Sequence, residues 1–176
     1  MDKNIRQEFA DTMLELGKED SRLVVLVADI SHFALQPFAK ACPERFYNIG
    51  ISEPTMINIA AGLSKIGFIP VAHTIAPFLV ERAFEQIKLG FGYQKLKGNL
   101  VSIGGGFDYG TLGSTHHCYD DFALLKNVEG SQIIHPGSCK EFNFLFKQVY
   151  DKGTPNYFRV PVENHNIELA DEQIKF

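Results

Sequence analysis

Short apolar runs rich in β-branched residues recur along the chain, each pair separated by enough residues for a helix. LVVLVAD (23–29), FYNIG (46–50), FIPVAHTI (68–75), NLVSI (99–103), SQIIHP (131–136) and NYFRV (156–160) are the six runs. LVVLVAD is near-continuously hydrophobic, as a strand buried on both faces of a parallel sheet must be. The intervening segments carry helical spacing. Residues 2–17 place Ile5, Phe9, Met13 and Leu16 on one face, with Gly17 as the predicted stop. A short helix, disturbed by Pro37, is predicted over 33–42. Glu53 and Pro54 open a helix to about Lys65, and Gly67 ends it. One helix is predicted over 78–90, with Phe78, Ala83 and Ile87 in phase, and another over 138–151, with Phe142, Leu145, Phe146 and Val149 on one face. Asp120 and Asp121 open a shorter one. This alternation predicts a doubly wound α/β domain: a mainly parallel sheet of about six strands with helices on both faces. The domain is expected over residues 1–165, with 166–176 as the start of a connection to a further domain.

Composition narrows the function. A net charge of −4 gives no electrostatic basis for binding nucleic acid or an anionic membrane. No apolar run reaches the roughly 20 residues of a membrane span. The N-terminus alternates charged and apolar residues and lacks a signal peptide's apolar core. Cys42, Cys118 and Cys139 are widely spaced and odd in number, as expected of free thiols in a reducing cytoplasm.

In a doubly wound sheet, ligands gather at the carboxyl ends of the strands. Three segments meet that condition: GISEPTM (50–56), HTIAPF (73–78) and GGGFDYGTLGSTHH (104–117). They offer a carboxylate, an aromatic ring, a glycine loop and adjacent histidines. The glycine run fits neither a phosphate loop, since no GK[ST] follows, nor GxGxxG, since Tyr109 stands where the last glycine is needed. His116, His117 and Cys118 are too close in sequence to converge on a zinc ion. No serine sits in a GxSxG elbow. A glutamate in a helix's first turn can simply complement the helix dipole, and Phe78 can simply be core. From the residues alone the reading is an α/β domain with a polar site at the strand ends.

The order YNIGISEPTMINIAAGLSKIGFIPVAHTIAPFLVERAFEQI, then a strand, a glycine-rich loop and STHH, resembles the central, pyrimidine-binding domain of the transketolase family. It also resembles the matching domain of 1-deoxyxylulose-5-phosphate synthase and the beta chains of 2-oxoacid dehydrogenases. The likeness covers about residues 5–162, with THH in place of the family's THQ. It implies thiamine diphosphate as cofactor. In such enzymes a glutamate, Glu53 here, hydrogen-bonds N1′ of the aminopyrimidine. That favours the 4′-imino tautomer, which takes the proton from C2. By the same resemblance Phe78 packs on the pyrimidine face, His116 lies near cofactor and substrate, Asp29 matches the acidic residue after the first strand, and Arg159 binds substrate phosphate.

Departures accompany the likeness. Leu112 stands where transketolases carry an acidic sugar contact, and Gly104 where they carry a histidine, which would suit a larger or less polar donor. The GDG motif that holds diphosphate and Mg2+ in the family does not occur in the sequence. The resemblance therefore implies a transferase of two-carbon ketol units, inactive alone, whose partner chain or domain binds diphosphate and metal. A homodimer or hetero-oligomer is expected, packed through the apolar run of the 54–63 helix and the helix containing Phe84. A non-catalytic interaction domain and a 2-oxoacid dehydrogenase beta chain are the other readings.

Overall fold

Five consecutive apolar residues leave β1 (Leu23–Val27) no face to give to water, and all five are buried. β3 (Ile69–Ile75) and β4 (Gly98–Ile103) are enclosed in the same way. The short β2 (Phe46–Asn48) closes one edge of the sheet, and β6 (Pro155–Val160) and β5 (Gln132–Ile134) form the other. The computed structural model describes residues 3–167 and 169–174. Its six strands lie in the order β2-β1-β3-β4-β6-β5, with every neighbouring pair parallel.

Alternate residues of each strand feed two separate cores, as the two-residue repeat of a pleated strand requires. Leu23, Val25, Val27, Val101, Ile103, Phe158 and Val160 pack under α1 (Ile5–Glu19), α2 (Gln36–Ala41) and α7 (Cys139–Val149). Leu26, Ala72, Leu100 and Tyr157 pack under α3 (Glu53–Lys65), α4 (Ala76–Leu79), α5 (Phe84–Ile87) and α6 (Asp121–Leu125). The chain leaves β1 towards β2 on one side and returns to β3 on the other. The order of strands thus reverses at β1, and the crevice of a doubly wound sheet opens at the carboxyl ends of β1 and β3.

Three expectations need correction. Gly17 does not end α1. It lies inside the helix, where a Cβ would stand 2.4 Å from the ring of buried Phe38, and the helix continues to Glu19. The predicted 78–90 helix is broken. α4 stops at Leu79, a turn covers residues 80–83, and α5 leads into a π-helical turn, Lys88–Tyr93. At the break the carbonyl of Pro77 accepts both the Glu81 and the Arg82 amides, each at 3.0 Å, so one extra residue is wound into the helix. Finally, most of the apolar run of the 54–63 helix is not free for a partner: Met56, Ile57, Ala60 and Ala61 belong to the chain's own core, while Ile59 remains partly exposed.

The tail folds back onto the domain. Leu169 packs on the first core and Ile174 is buried in it, whereas Glu168, Lys175 and Phe176 lie outside the described residues. Among the described residues, no helix is long and apolar enough to cross a membrane.

Gly17→Ala offers a direct test of the close packing between α1 and α2. Overpacking a full core typically costs about 1–3 kcal/mol, while alanine's better helix propensity returns about 1 kcal/mol. Because Phe38 is fully buried and has little room to move, a net loss of up to about 2 kcal/mol in urea unfolding is expected. A more stable variant would show that the ring yields.

Candidate active site

The turn after β2 carries Glu53 into the first position of α3, with Ser52 as N-cap and Pro54 behind it. The positive φ of Gly50 (73°) sharpens that turn. Glu53 is only 2% exposed, which is unusual for a carboxylate. Two positive influences compensate its charge. One is the N-terminus of a 13-residue helix. The other is Arg82, whose Nη1 lies 2.9 Å from both carboxylate oxygens. The guanidinium also sits 4.2 Å from the centre of the Phe78 ring. One planar group therefore touches the carboxylate and the aromatic ring at once. His116 completes the cluster, its ring edge-on to Phe78 at 5.2 Å and its Nδ1 2.9 Å from the Thr115 hydroxyl.

Asp29 lies on the same edge of the sheet but in a separate network. Its backbone is left-handed (φ 55°), as is that of Ser31 (φ 55°). The side-chain oxygen of Asn48 accepts the amides of Asp29 (3.1 Å) and Gly50 (3.0 Å), while its NH2 donates to the Asp29 carboxylate (3.2 Å). Asn48 thus ties the turn after β1 to the turn that delivers Glu53. Two non-glycine residues at positive φ so close together store strain, which the surroundings must over-determine.

His73 supplies part of that restraint. It lies buried within β3, and its Nδ1–H donates to the carbonyl of Val101 at 2.7 Å. A carbonyl only accepts, so Nε2 is left to accept from the Ser31 hydroxyl at 2.9 Å. Burial pushes the imidazole's pKa down to about 3.

Arg159 is anchored beneath the glycine loop. Its Nε is 3.4 Å from buried Asp121, its Nη2 donates to the Cys118 carbonyl at 3.2 Å, and its guanidinium stacks on Phe122. Tyr157 donates to the same Asp121 oxygen at 2.7 Å. A Cβ at Gly105 would fall 1.8 Å from Arg159 Nε, so only glycine lets the loop lie this close. Gly104 has positive φ, with the Tyr109 ring where a side chain would go. The loop is closed at its far end by the antiparallel bridge between Gly106 and Cys118. Burial, with the Asp121 and Glu81 carboxylates nearby, pushes the Cys118 thiol well above its ordinary pKa, the setting of an inert structural cysteine.

The structure thus brings Glu53, Phe78 and His116 together, sets Asp29 on a neighbouring turn, and engages Arg159 elsewhere. Arg82, Asn48, His73 and Asp121 are polar residues that the sequence pattern did not single out. His73 carried a legible signal, a polar side chain inside an otherwise buried strand. Arg82 carried none, because its direction depends on the extra residue wound in after Pro77. The carboxylate and the half-buried ring fit a flat nitrogen heterocycle. By contrast, no group of three His, Cys, Asp or Glu among the described residues is placed to hold a metal ion.

The state of His73 sets a pH dependence. An unfolded histidine takes up a proton near 6.5, but the folded one does so only near 3. The unfolded state therefore binds more protons between those values. Its share of stability is intact above about pH 6.5 and falls as the pH drops, by up to about 1.4 kcal/mol per unit. In an NMR titration the His73 ring should still be neutral at about pH 5, and His73→Gln should flatten the decline. A ring that titrates near its ordinary value would disprove the assignment.

Comparison with known proteins places the sequence and the fold. Residues 2–167 match the family described as transketolase, pyrimidine binding domain. The chain is 35% identical over 156 residues to one of the subunits of the apulose-4-phosphate transketolase of Phocaeicola vulgatus, covering 88% of this chain and 50% of that protein. It is 33% identical over 172 residues to a putative transketolase C-terminal section from Methanocaldococcus jannaschii, covering 97% and 54%. Among solved structures, a split-gene transketolase described as an inactive beta4 tetramer superposes with a TM-score of 0.83 at 32% identity, covering 97% of this chain and 56% of that one. A transketolase mutant from Pichia stipitis superposes with a TM-score of 0.84 at 16% identity, a likeness of fold, covering 98% and 28%. The chain spans about half the length of the Phocaeicola and Methanocaldococcus relatives. From sequence and fold together, the chain belongs to the transketolase pyrimidine-binding-domain family.

Proposed function

We propose that this chain supplies the pyrimidine half of a thiamine diphosphate site in an enzyme that transfers two-carbon ketol units. The observation that carries the reading is the buried carboxylate of Glu53 at the carboxyl edge of the sheet, beside the half-buried ring of Phe78. The cofactor, when bound, supplies the carbon nucleophile that attacks a ketose carbonyl. Glu53 would hold a proton at the ring nitrogen N1′, a role for which a desolvated carboxylate is suited. Phe78 would fix the plane of the ring, and His116, edge-on to Phe78, would exchange hydrogen bonds with the substrate. Asp29, on the turn that Asn48 links to Glu53, would complete the cofactor pocket. To bind a substrate phosphate, Arg159 would have to share or leave the Asp121 carboxylate.

Diphosphate and Mg2+ would be held by a partner chain or domain, with the cofactor lying across the interface. Support comes from relatives that are themselves subunits or sections of transketolases. Self-assembly without that partner is the companion proposal, supported by the similar protein solved as an inactive beta4 tetramer. Leu112, 54% exposed on the loop, favours a donor less polar than a simple sugar phosphate. A reducing cytoplasm is the proposed setting, since all three cysteines are free.

Glu53→Gln tests the reading in the complex reconstituted with the diphosphate-binding partner. Glutamine keeps the shape but cannot share a proton with N1′. Hydrogen–deuterium exchange at the cofactor's C2 is expected to slow by about 10²–10⁴-fold. If Glu53 merely complemented the helix dipole and paired with Arg82, the substitution would change stability and leave exchange unaltered. Unaltered exchange would favour the non-catalytic reading of the domain.

Calorimetry provides a second check. Without the partner, this chain is expected to bind thiamine diphosphate weakly, with magnesium making little difference. Tight, magnesium-dependent binding to this chain alone would contradict a site divided between two partners.

A further inference from the structure

Arg82 makes the two contacts that the proposed function assigns to the aminopyrimidine ring. Like that ring, a guanidinium is flat, delocalised and edged with N–H donors. Its Nη1 lies 2.9 Å from both oxygens of Glu53. Its central carbon is 4.2 Å from the middle of the Phe78 ring, close enough for cation–π attraction. The buried Glu53 carboxylate cannot lose this partner without gaining another, because an unpaired buried charge is costly.

The Arg82 side chain, unlike that of Glu53, has solvent beside it into which it can swing. It is 44% exposed while the Glu53 side chain is 3% exposed. It leaves the backbone at the irregular turn where Pro77 accepts two amides, so no regular helix fixes its direction. The contact is thus hinged on one side and fixed on the other.

We infer that Arg82 occupies the pyrimidine slot of the unliganded chain and must swing out of it for the ring to enter. The inference rests on the reading of Glu53 and Phe78 as the pyrimidine site. Arg82 then acts as an internal competitor. It keeps the Glu53 carboxylate paired until cofactor and partner arrive, and it lowers affinity by the fraction of time that it occupies the slot. The part-exposed ion pair and the cation–π contact together favour the closed form by about five- to tenfold, which sets the size of the effect.

The test uses the whole chain and the free ring fragment 4-amino-5-hydroxymethyl-2-methylpyrimidine, followed by NMR. Arg82→Gln is expected to bind the fragment about five- to tenfold more tightly than the wild type. Arg82→Lys guards against a loss of fold. It keeps the charge, but its ammonium cannot lie flat on Phe78, so it should show part of the gain. In the wild type, saturating fragment should shift the Arg82 side-chain N–H signals as the guanidinium leaves Glu53. Equal affinity in all three proteins, an Arg82 signal unmoved at saturation, or no binding to Arg82→Gln would each overturn the inference. In those cases weaker binding by Glu53→Gln, or its slowed C2 exchange in the complex, would leave the reading of Glu53 standing. Fragment binding that Glu53→Gln leaves unchanged in both the wild-type and Arg82→Gln backgrounds would place the ring elsewhere, overturning that reading and the inference with it.

Discussion

A parallel sheet with both faces covered allows polar chemistry only at its ends, and this domain is organised around that constraint. β1, β3 and β4 bury nearly all their side chains, and most of the apolar ones belong to two hydrophobic cores. Each right-handed crossover then returns the chain so that the turns after β1, β2, β3 and β4 emerge on one edge. Glu53, Phe78, His116 and Asp29 come from four different turns, separated by up to 87 residues in sequence, yet share that edge. None of them would meet if the strands did not run parallel.

The polar groups that intrude into the cores serve the same edge. His73 reaches across from β3 to hold Ser31, and Asn48 holds Asp29 and Gly50 together. Ser102, Tyr157, Asp121 and Arg159 form a chain of contacts from within the sheet to the glycine loop. Such networks are worth their desolvation only when nearly complete. Here most of the members are partnered, though one oxygen of Asp121 is not. The loops therefore stand on internal polar props rather than on loop-to-loop contacts alone.

Much of this was legible in the sequence, and the limits have physical causes. The inner strands showed as apolar runs because both faces are buried, and their alternation with helical segments pointed to the parallel sheet. Glu53 was legible because a helix start after a strand has a fixed place in a doubly wound sheet. Local signals failed where tertiary packing overrode them. Gly17 carries the sequence mark of a helix stop but is glycine because Phe38 leaves no room for a Cβ. Met56, Ile57 and Ala60 looked like spare apolar surface, since a sequence does not say which neighbour covers a helix face. The split of the predicted 78–90 helix was illegible because apolar spacing tolerates one extra residue, and with it went the position of Arg82. Arg159 came into view only through the family resemblance, and its engagement with Asp121 depends on a contact spanning 38 residues.

The doubled acceptor at Pro77 has a consequence for how this domain changes over generations. Each residue of an α-helix turns the next side chain by about 100°. Removing a single residue from the 80–83 turn would restore an ordinary helical count and swing Arg82 away from Glu53 without altering either side chain. Adding one elsewhere in a relative could create the pairing just as abruptly. In such a lineage the partner of a buried acid can be gained or lost by a change in length. An alignment column comparing residue types at position 82 would then record an arginine kept in place while its physical role had gone.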